Sequence, residues 1–258
     1  MKRTIGILFC IVPYLVMLLI RTAGVVLFGN LFADGLASNY NVYVIYVLAL
    51  VTVIYVLVFG VWYYFDIAKG KKTGNSDFWN TKSLFLLFVL GIAAQMSVSF
   101  LLYFLFLLLP SLAEGYEALM SPLVALTPMS IIYVGILSPI SEELIFRGLI
   151  MRYAEKYAPF YLANILQAAL FGVYHGNLIQ GIYAFLLGLL IGYLARLSGS
   201  VFGGIIFHSA LNFAGLYLER LLPETMSAAV RLTLMLASAA VCVWSVKVLG
   251  KHENIGQK

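Results

Sequence analysis

Residues 42–65 read VYVIYVLALVTVIYVLVFGVWYYF, a run of 24 residues without a charged side chain. A helix of about 20 apolar residues is long enough to cross the roughly 30 Å hydrocarbon core of a bilayer. The rest of the chain has a similar character, because 63% of its 258 residues are hydrophobic, 10% are charged and the mean hydropathy is +0.99. Soluble domains carry about 25% charged residues. The composition therefore excludes a water-soluble globule and predicts an all-α, polytopic membrane protein.

Eight apolar runs qualify as candidate transmembrane helices. The first follows two basic residues and has no convincing signal-peptidase site, so we expect a retained anchor. We expect three N-terminal spans in residues 1–120, with a cytoplasmic linker at about 66–82. A catalytic core formed by spans four to seven follows in 121–218, and the last span and tail occupy 219–258. The predicted spans are 5–32, 42–65, 83–109, 123–146, 159–175, 177–195, 201–218 and 226–249.

Basic residues are distributed unevenly over the predicted loops. With the N-terminus inside, 13 of the 16 Lys and Arg residues fall on the cytoplasmic side, whereas the outer loops carry Arg220 and five acidic residues. The positive-inside rule then predicts that both termini are cytoplasmic, in the plasma membrane if the cell is bacterial. The net charge of +5 thus reflects membrane topology and does not indicate a nucleic-acid partner. The cytoplasmic basic residues are Lys2, Arg3, Lys69, Lys71, Lys72, Lys82, Arg147, Arg152, Lys156, Arg196, Lys247, Lys251 and Lys258.

Three clusters of polar residues lie at predicted membrane depth. They are SEELIFRG at 141–148, FGVYH at 171–175 and HSALN at 208–212. Ionisable groups inside a bilayer are costly and point to function. If each predicted helix starts at the cytoplasmic surface and rises about 1.5 Å per residue, His175 in the second cluster lies farther from that surface than Glu142 or His208. We therefore expect either a tilted fifth helix or a segment within 149–160 that lies along the membrane.

Helical spacing separates the two adjacent glutamates. Glu143 and Arg147 are four residues apart with the acid first, which favours an ion pair within the helix. Glu142 is rotated by about 100° and has no equivalent partner in the sequence. We therefore expect Glu142 to be the acid that remains available as a general base or general acid.

The histidines allow two interpretations. His208 and Asn212 lie on one helix face, and a neutral imidazole N–H beside an amide would supply two hydrogen-bond donors to an oxyanion. Alternatively, Glu142, His175 and His208 would supply three ligands to an open zinc site. The two cysteines, Cys10 and Cys242, both lie in apolar runs and indicate no disulfide. The residue types alone leave both interpretations open: the first needs no cofactor, and the second needs zinc.

In order and spacing, the three clusters resemble the motifs EExxxR, FxxxH and HxxxN of the CAAX protease and bacteriocin-processing (Abi) family of intramembrane endopeptidases. That family is similar to the type II CAAX prenyl endopeptidases and the lysostaphin-resistance proteins. The resemblance covers residues 129–218. It implies that peptide bonds are hydrolysed in a cavity that opens to the cytoplasmic leaflet, with or without a metal. The matching residues are Glu142, Glu143 and Arg147, then Phe171 and His175, then His208 and Asn212.

The resemblance also implies roles for these residues. Glu142, helped by His175, would activate a water, while His208 and Asn212 would stabilise the oxyanion. Glu143, Arg147 and Phe171 would support them. The implied partners are the lipid bilayer and a peptide or membrane-protein substrate, such as a prenylated C-terminal peptide or a bacteriocin leader peptide.

Other functions are compatible with parts of the pattern. A non-catalytic immunity or scaffold protein could share the fold. Haem could be ligated by His175 and His208, and a proton-coupled transporter would need only the carboxylate and the histidines. Haem ligation would leave Glu142 and Asn212 without a role. Arg21 and Arg231 lie within predicted spans, and we expect each to extend towards the outer surface or to pair with an outer-loop carboxylate.

Overall fold

A computed structural model describes residues 9–69, 74–223 and 225–252, apart from the side chains of Glu219 and His252. Within these ranges the chain is helical and has no β-strand, as the apolar runs predict. The start of the first predicted span, the basic residues at 2, 3, 71, 72 and 258, and the end of the tail lie outside the described residues. The helices are α1 (Val12–Leu31), α2 (Ala33–Ser38), α3 (Tyr40–Ala68), α4 (Thr81–Leu108), α5 (Ser111–Met120), α6 (Pro128–Ala154), α7 (Phe160–Tyr174), α8 (Leu178–Ser198), α9 (Val201–Leu221) and α10 (Ala228–Leu249).

Seven helices in the described part of the chain are long and apolar enough to cross a membrane. They are α1, α3, α4, α6, α8, α9 and α10, and they confirm an integral membrane protein. The predicted number of eight is approximate, because α7 has only 15 residues and a length of about 22 Å. It is therefore shorter than the hydrocarbon core of a typical bilayer.

Helix α6 differs most from its predicted boundaries. The sequence predicts its end at residue 146, but the helix continues to Ala154 through wider, π-helical turns at Tyr133–Leu137 and Glu143–Met151. Residues 149–154 therefore extend α6. Arg147 is fully buried, so its assignment to a cytoplasmic loop is wrong. The positive-inside rule counts basic residues by position in the sequence, so it does not distinguish a buried arginine that is paired with Glu143 from an arginine in a loop.

Helices α7 and α8 form an antiparallel hairpin that packs through small residues. A Cβ atom at Gly172 would lie 2.7 Å from the Gly181 carbonyl oxygen, and one at Gly192 would lie 1.9 Å from Asn164 Oδ1. Only glycine allows the backbones to come this close. The side chain of Gln167 then reaches across and donates to the carbonyl of Gly188 at 2.9 Å. The short α7 is thus held firmly against its longer neighbour.

The π-helical part of α6 lies at the centre of the bundle. All nine residues of Glu143–Met151 are buried, and this segment contacts α1, α3, α7, α8 and α9. Helix α9 in turn packs against α4, where a Cβ atom at Gly91 would lie 2.6 Å from the Phe207 carbonyl oxygen. Helix α6, which carries the first motif, therefore contacts both α7 and α9, which carry the other two.

Candidate active site

The structure brings the three polar clusters together inside the bundle. Glu142 and His208 are each 6% exposed, and Glu142 Oε2 lies 3.8 Å from His208 Nε2. Glu142 therefore faces the protein interior and not the lipid. A carboxylate on α6 and an imidazole on α9 meet across a gap slightly wider than a hydrogen bond.

One carboxylate oxygen of Glu143 accepts two hydrogen bonds. Its Oε1 accepts a hydrogen bond from Arg147 Nη1 at 2.9 Å and another from His208 Nδ1 at 2.9 Å. The predicted ion pair with Arg147 is confirmed. The contact with His208 was not predicted, because helical spacing relates residues only within one helix. Gly204 on α9 makes room for the carboxylate, since a Cβ atom there would lie 2.6 Å from Glu143 Oε2.

Arg147 joins α6 to the α7–α8 hairpin. Its Nη2 donates to the carbonyl of Gly188 at 3.2 Å, and its guanidinium lies 4.5 Å from the centre of the Phe171 ring. The same ring makes edge contacts with the imidazoles of His175 at 4.7 Å and His208 at 5.9 Å, measured between ring centres. Phe171 therefore forms a wall that both histidines share with the arginine.

His175 lies at the C-terminal end of α7, where its ring is oriented by its own helix. Its Nδ1–H donates to the carbonyl of Phe171 at 2.7 Å. Because a carbonyl oxygen only accepts, this bond places the proton on Nδ1 and leaves a lone pair on Nε2. His175 is half-buried and lies within electrostatic range of Glu142 and His208.

The sequence predicts that neutral His208 donates a ring N–H to an oxyanion, but the structure uses its Nδ1 for another contact. Its Nδ1–H is used by the Glu143 carboxylate, so in the neutral ring Nε2 carries no proton. A neutral imidazole therefore cannot donate from Nε2 to an oxyanion. Only the imidazolium form can, and Glu142 and Glu143 flank that form at 3.8 and 2.9 Å.

Asn212 and Ser138 complete the set of side chains around Glu142. Asn212 Nδ2 donates to the carbonyl of Val134 on α6 at 2.8 Å, which uses one of its two amide hydrogens and leaves the other. Ser138 donates to Glu142 Oε1 through its hydroxyl. The sequence analysis missed Ser138, although its spacing of four residues before Glu142 was a signal for the contact.

Glu142, His175 and His208 are the residues that the sequence offers as zinc ligands. Within residues 9–69, 74–223 and 225–252, no three His, Cys, Asp or Glu side chains are grouped closely enough to hold a metal ion. His208 and His175 each use Nδ1 for a protein contact.

Part of the chain matches a known protein family. Residues 124–214 match the family described as type II CAAX prenyl endopeptidase Rce1-like, and this range contains every residue of the three clusters. No curated protein and no solved structure matches the chain significantly. Both the motif order and the family match fall on helices α6 to α9. Residues 124–214, which carry all three polar clusters, are therefore similar to the type II CAAX prenyl endopeptidase Rce1-like family.

Proposed function

We propose that this protein is an intramembrane endopeptidase in which Glu142 is the general base for hydrolysis of a peptide bond. One observation carries the proposal. Glu143 is neutralised by Arg147, whereas Glu142 has no arginine or lysine within ion-pair distance among the described residues and faces His208 Nε2 at 3.8 Å. A buried carboxylate in this position is suited to take a proton from a water molecule.

The first step is the activation of water by Glu142 and His175. Ser138 binds Glu142 Oε1, so Oε2 is the oxygen that is left to accept the proton. The Nε2 lone pair of His175 accepts the second water hydrogen, because Nδ1–H is bound to Phe171. The water is thereby oriented with a lone pair towards the carbonyl carbon of the substrate.

In the second step the water oxygen bonds to the carbonyl carbon and gives a tetrahedral oxyanion. The Nε2–H of the His208 imidazolium and the second amide hydrogen of Asn212 stabilise the negative charge. The C–N bond then breaks, and Glu142 returns its proton to the leaving nitrogen. The products are a carboxylic acid and an amine, and Glu142 is again ionised.

An apolar groove beside His175 supports a substrate with an apolar group. The groove has a volume of about 460 Å³ and lies between α7 and α8 at the end that carries His175. Its lining includes Gly176, which follows His175 directly, Gly172, three residues before His175, and the exposed side chains of Val173 and Leu178. We propose that it receives the prenyl chain or an apolar segment of a membrane-associated peptide.

The proposal is tested with the purified protein in liposomes. The probes are a peptide with a farnesylated cysteine and a quenched fluorophore pair, and the same peptide without the farnesyl group. We expect cleavage at a single bond, faster for the farnesylated peptide, and a rate that stays within twofold after chelation, because in the proposed mechanism Glu142 itself accepts the proton of the water. Failure to cleave either peptide would contradict endopeptidase activity on this substrate class, and loss of activity on chelation would contradict the metal-free mechanism.

Replacing Asn212 with Ala should remove one donor to the oxyanion. We expect kcat to fall by about 10²–10³, with a much smaller change in KM, because the lost bond forms only in the transition state. The unfolding free energy should fall by only about 1 kcal/mol, since a single hydrogen bond to Val134 is lost. The matched control is Asn39→Ala at the start of α3, which should leave kcat unchanged. A rise in KM at constant kcat would contradict the role in the oxyanion hole.

A further inference from the structure

Two side-chain amides lie on the mostly apolar helix α7 and reach across to α8. Asn164 is 7% exposed and Gln167 is fully buried. Buried polar groups are costly unless they form hydrogen bonds. Asn164 Nδ2 donates to the carbonyl of Leu189 at 3.0 Å, and Asn164 Oδ1 accepts from Gln167 Nε2 at 2.6 Å. Both ends of the Asn164 amide are therefore paired, whereas Gln167 has further contacts.

The carbonyl oxygen of Gly188 on α8 accepts hydrogen bonds from two side chains. Gln167 Nε2 reaches it from α7 at 2.9 Å, and Arg147 Nη2 reaches it from α6 at 3.2 Å. Both donors are fully buried, so bulk water cannot replace the carbonyl as their acceptor. A displacement of this one oxygen would therefore change the bonds of both side chains.

The packing around Gly188 keeps the two donors in one buried unit. A Cβ atom at Gly192, one turn further along α8, would lie 2.9 Å from Gln167 Nε2, so only glycine leaves room for the amide. A Cβ atom at Gly188 would lie 3.3 Å from Phe171 Cδ1. The Phe171 ring in turn lies 4.5 Å from the guanidinium of Arg147. Movement of Gln167 would therefore be transmitted to the arginine.

Two polar atoms of these side chains have no hydrogen-bond partner among the described residues. They are Gln167 Oε1 and Arg147 Nε, and both are buried. An unpaired buried acceptor is costly, and an apolar side chain of similar size would fill the same space without that cost. Packing between α7 and α8 alone therefore does not explain a glutamine at this position.

From these contacts we propose that Gln167 is a positioning residue for the active site and acts through Gly188 and Arg147. The inference rests on the proposed function. The Gly188 carbonyl binds one end of the guanidinium, and Glu143 Oε1 binds the other end at 2.9 Å. The same Oε1 accepts from His208 Nδ1, so the orientation of the imidazole depends on where the arginine lies. Small displacements of catalytic groups slow the chemical step strongly.

The first test is Gln167→Met, which keeps the length of the side chain but removes the amide. With the farnesylated peptide in liposomes, we expect kcat to fall by about tenfold and KM to stay within about twofold, because misplaced catalytic groups affect the chemical step and not the binding of the peptide. If Gln167→Met does not fold, Gln167→Asn, whose amide is one methylene shorter, should show the same loss. An unchanged kcat in the folded variant would contradict the positioning role.

A double variant shows whether Gln167 acts through Arg147. Arg147→Lys keeps the positive charge but lacks the planar fork that binds Glu143 and Gly188 through separate nitrogens. It should also lower kcat by about tenfold, and Gln167→Met added to it should cause less than about a twofold further loss, since residues in one network are not additive. If the two losses multiplied, Gln167 would act independently of the arginine and the proposal would be wrong.

The matched control is Ser97→Ala. Ser97 on α4 is hydrogen-bonded to Ser238 on α10 at 2.8 Å, so this variant also removes a partly buried polar contact between two membrane helices. Neither serine belongs to the site, and kcat should stay within about twofold. If Ser97→Ala lowered kcat as much as Gln167→Met, the loss would reflect a general weakening of the bundle, and the positioning role would be overturned.

A spectroscopic readout tests the inference independently of peptide cleavage. The chain has three histidines, so ring-nitrogen NMR of the isotope-labelled protein gives few signals, and His208→Gln assigns those of His208. Gln167→Met and Arg147→Lys should both shift the His208 Nδ1 signal, whereas Ser97→Ala should not. If the wild-type protein cleaves neither peptide, the proposed function fails, and this signal alone judges the inference. An unshifted Nδ1 signal in Gln167→Met would overturn it.

Discussion

Glu142→Gln is expected to lower kcat by about 10²–10⁴ while the protein stays folded, because the amide keeps the shape of the carboxylate but cannot accept the proton of the water. Glutamine still accepts a hydrogen bond from Ser138, so the local contact is retained. The measurements are the steady-state kinetics of the farnesylated peptide in liposomes and the melting temperature in detergent. The matched control is Glu155→Gln, since Glu155 forms a partly exposed ion pair with Arg152 at 3.2 Å and should leave kcat unchanged.

The same variant separates the endopeptidase from a non-catalytic membrane protein with this fold. A scaffold or immunity protein needs the shape of the bundle and not the proton acceptor. If Glu142→Gln retained both the full biological activity and the full rate of peptide cleavage, the role of Glu142 as general base would be contradicted. Retained biological activity with peptide cleavage abolished would assign the biological role to the scaffold.

Glu143→Leu is expected to lower the free energy of unfolding by about 3–5 kcal/mol, because it leaves the guanidinium of Arg147 buried without its carboxylate. Both side chains are fully buried, and they lie 2.9 Å apart. The double variant Glu143→Leu/Arg147→Met should recover most of that loss, since it removes both charges and fills the space with apolar groups. Unfolding in mixed micelles measures this coupling.

Activity should not recover with stability in the double variant. Without Glu143, the Nδ1–H of His208 loses its acceptor, and the imidazolium form loses the nearer of its two carboxylates. The control cycle is Arg152→Met with Glu155→Leu, a partly exposed pair whose coupling should stay below about 1 kcal/mol. If the losses at Glu143 and Arg147 were simply additive, the buried ion pair would not hold this part of the bundle together.

Local spacing predicted the contacts that lie within one helix. The ion pair between Glu143 and Arg147 is confirmed, and the spacing between Ser138 and Glu142 carried the same kind of signal, because residues four apart always share a helix face. The end of α6 was predicted eight residues too early. Arg147 looked like a loop residue there, since a charge in a sequence does not show whether another helix buries it.

Contacts between helices could not be predicted from spacing. His208 uses Nδ1 for Glu143 and not for a ligand, and this depends on how α9 rotates against α6. Arg21 on α1 donates a hydrogen bond to the carbonyl of Tyr174 at the end of α7. In both cases the partner is far away in the chain, so no local pattern reports it.

The sequence by itself determined that the chain is an all-α membrane protein, and it determined which side chains bear ionisable groups at membrane depth. Both follow from the cost of placing polar atoms in hydrocarbon, which acts residue by residue. Only the tertiary structure decided which partners the Nδ1 atoms of His175 and His208 bind and which glutamate remains without an arginine. It also decided where the one mid-helix cation of α1 points. Those properties arise from hydrogen bonds and ion pairs between helices, and these form only when the bundle is assembled.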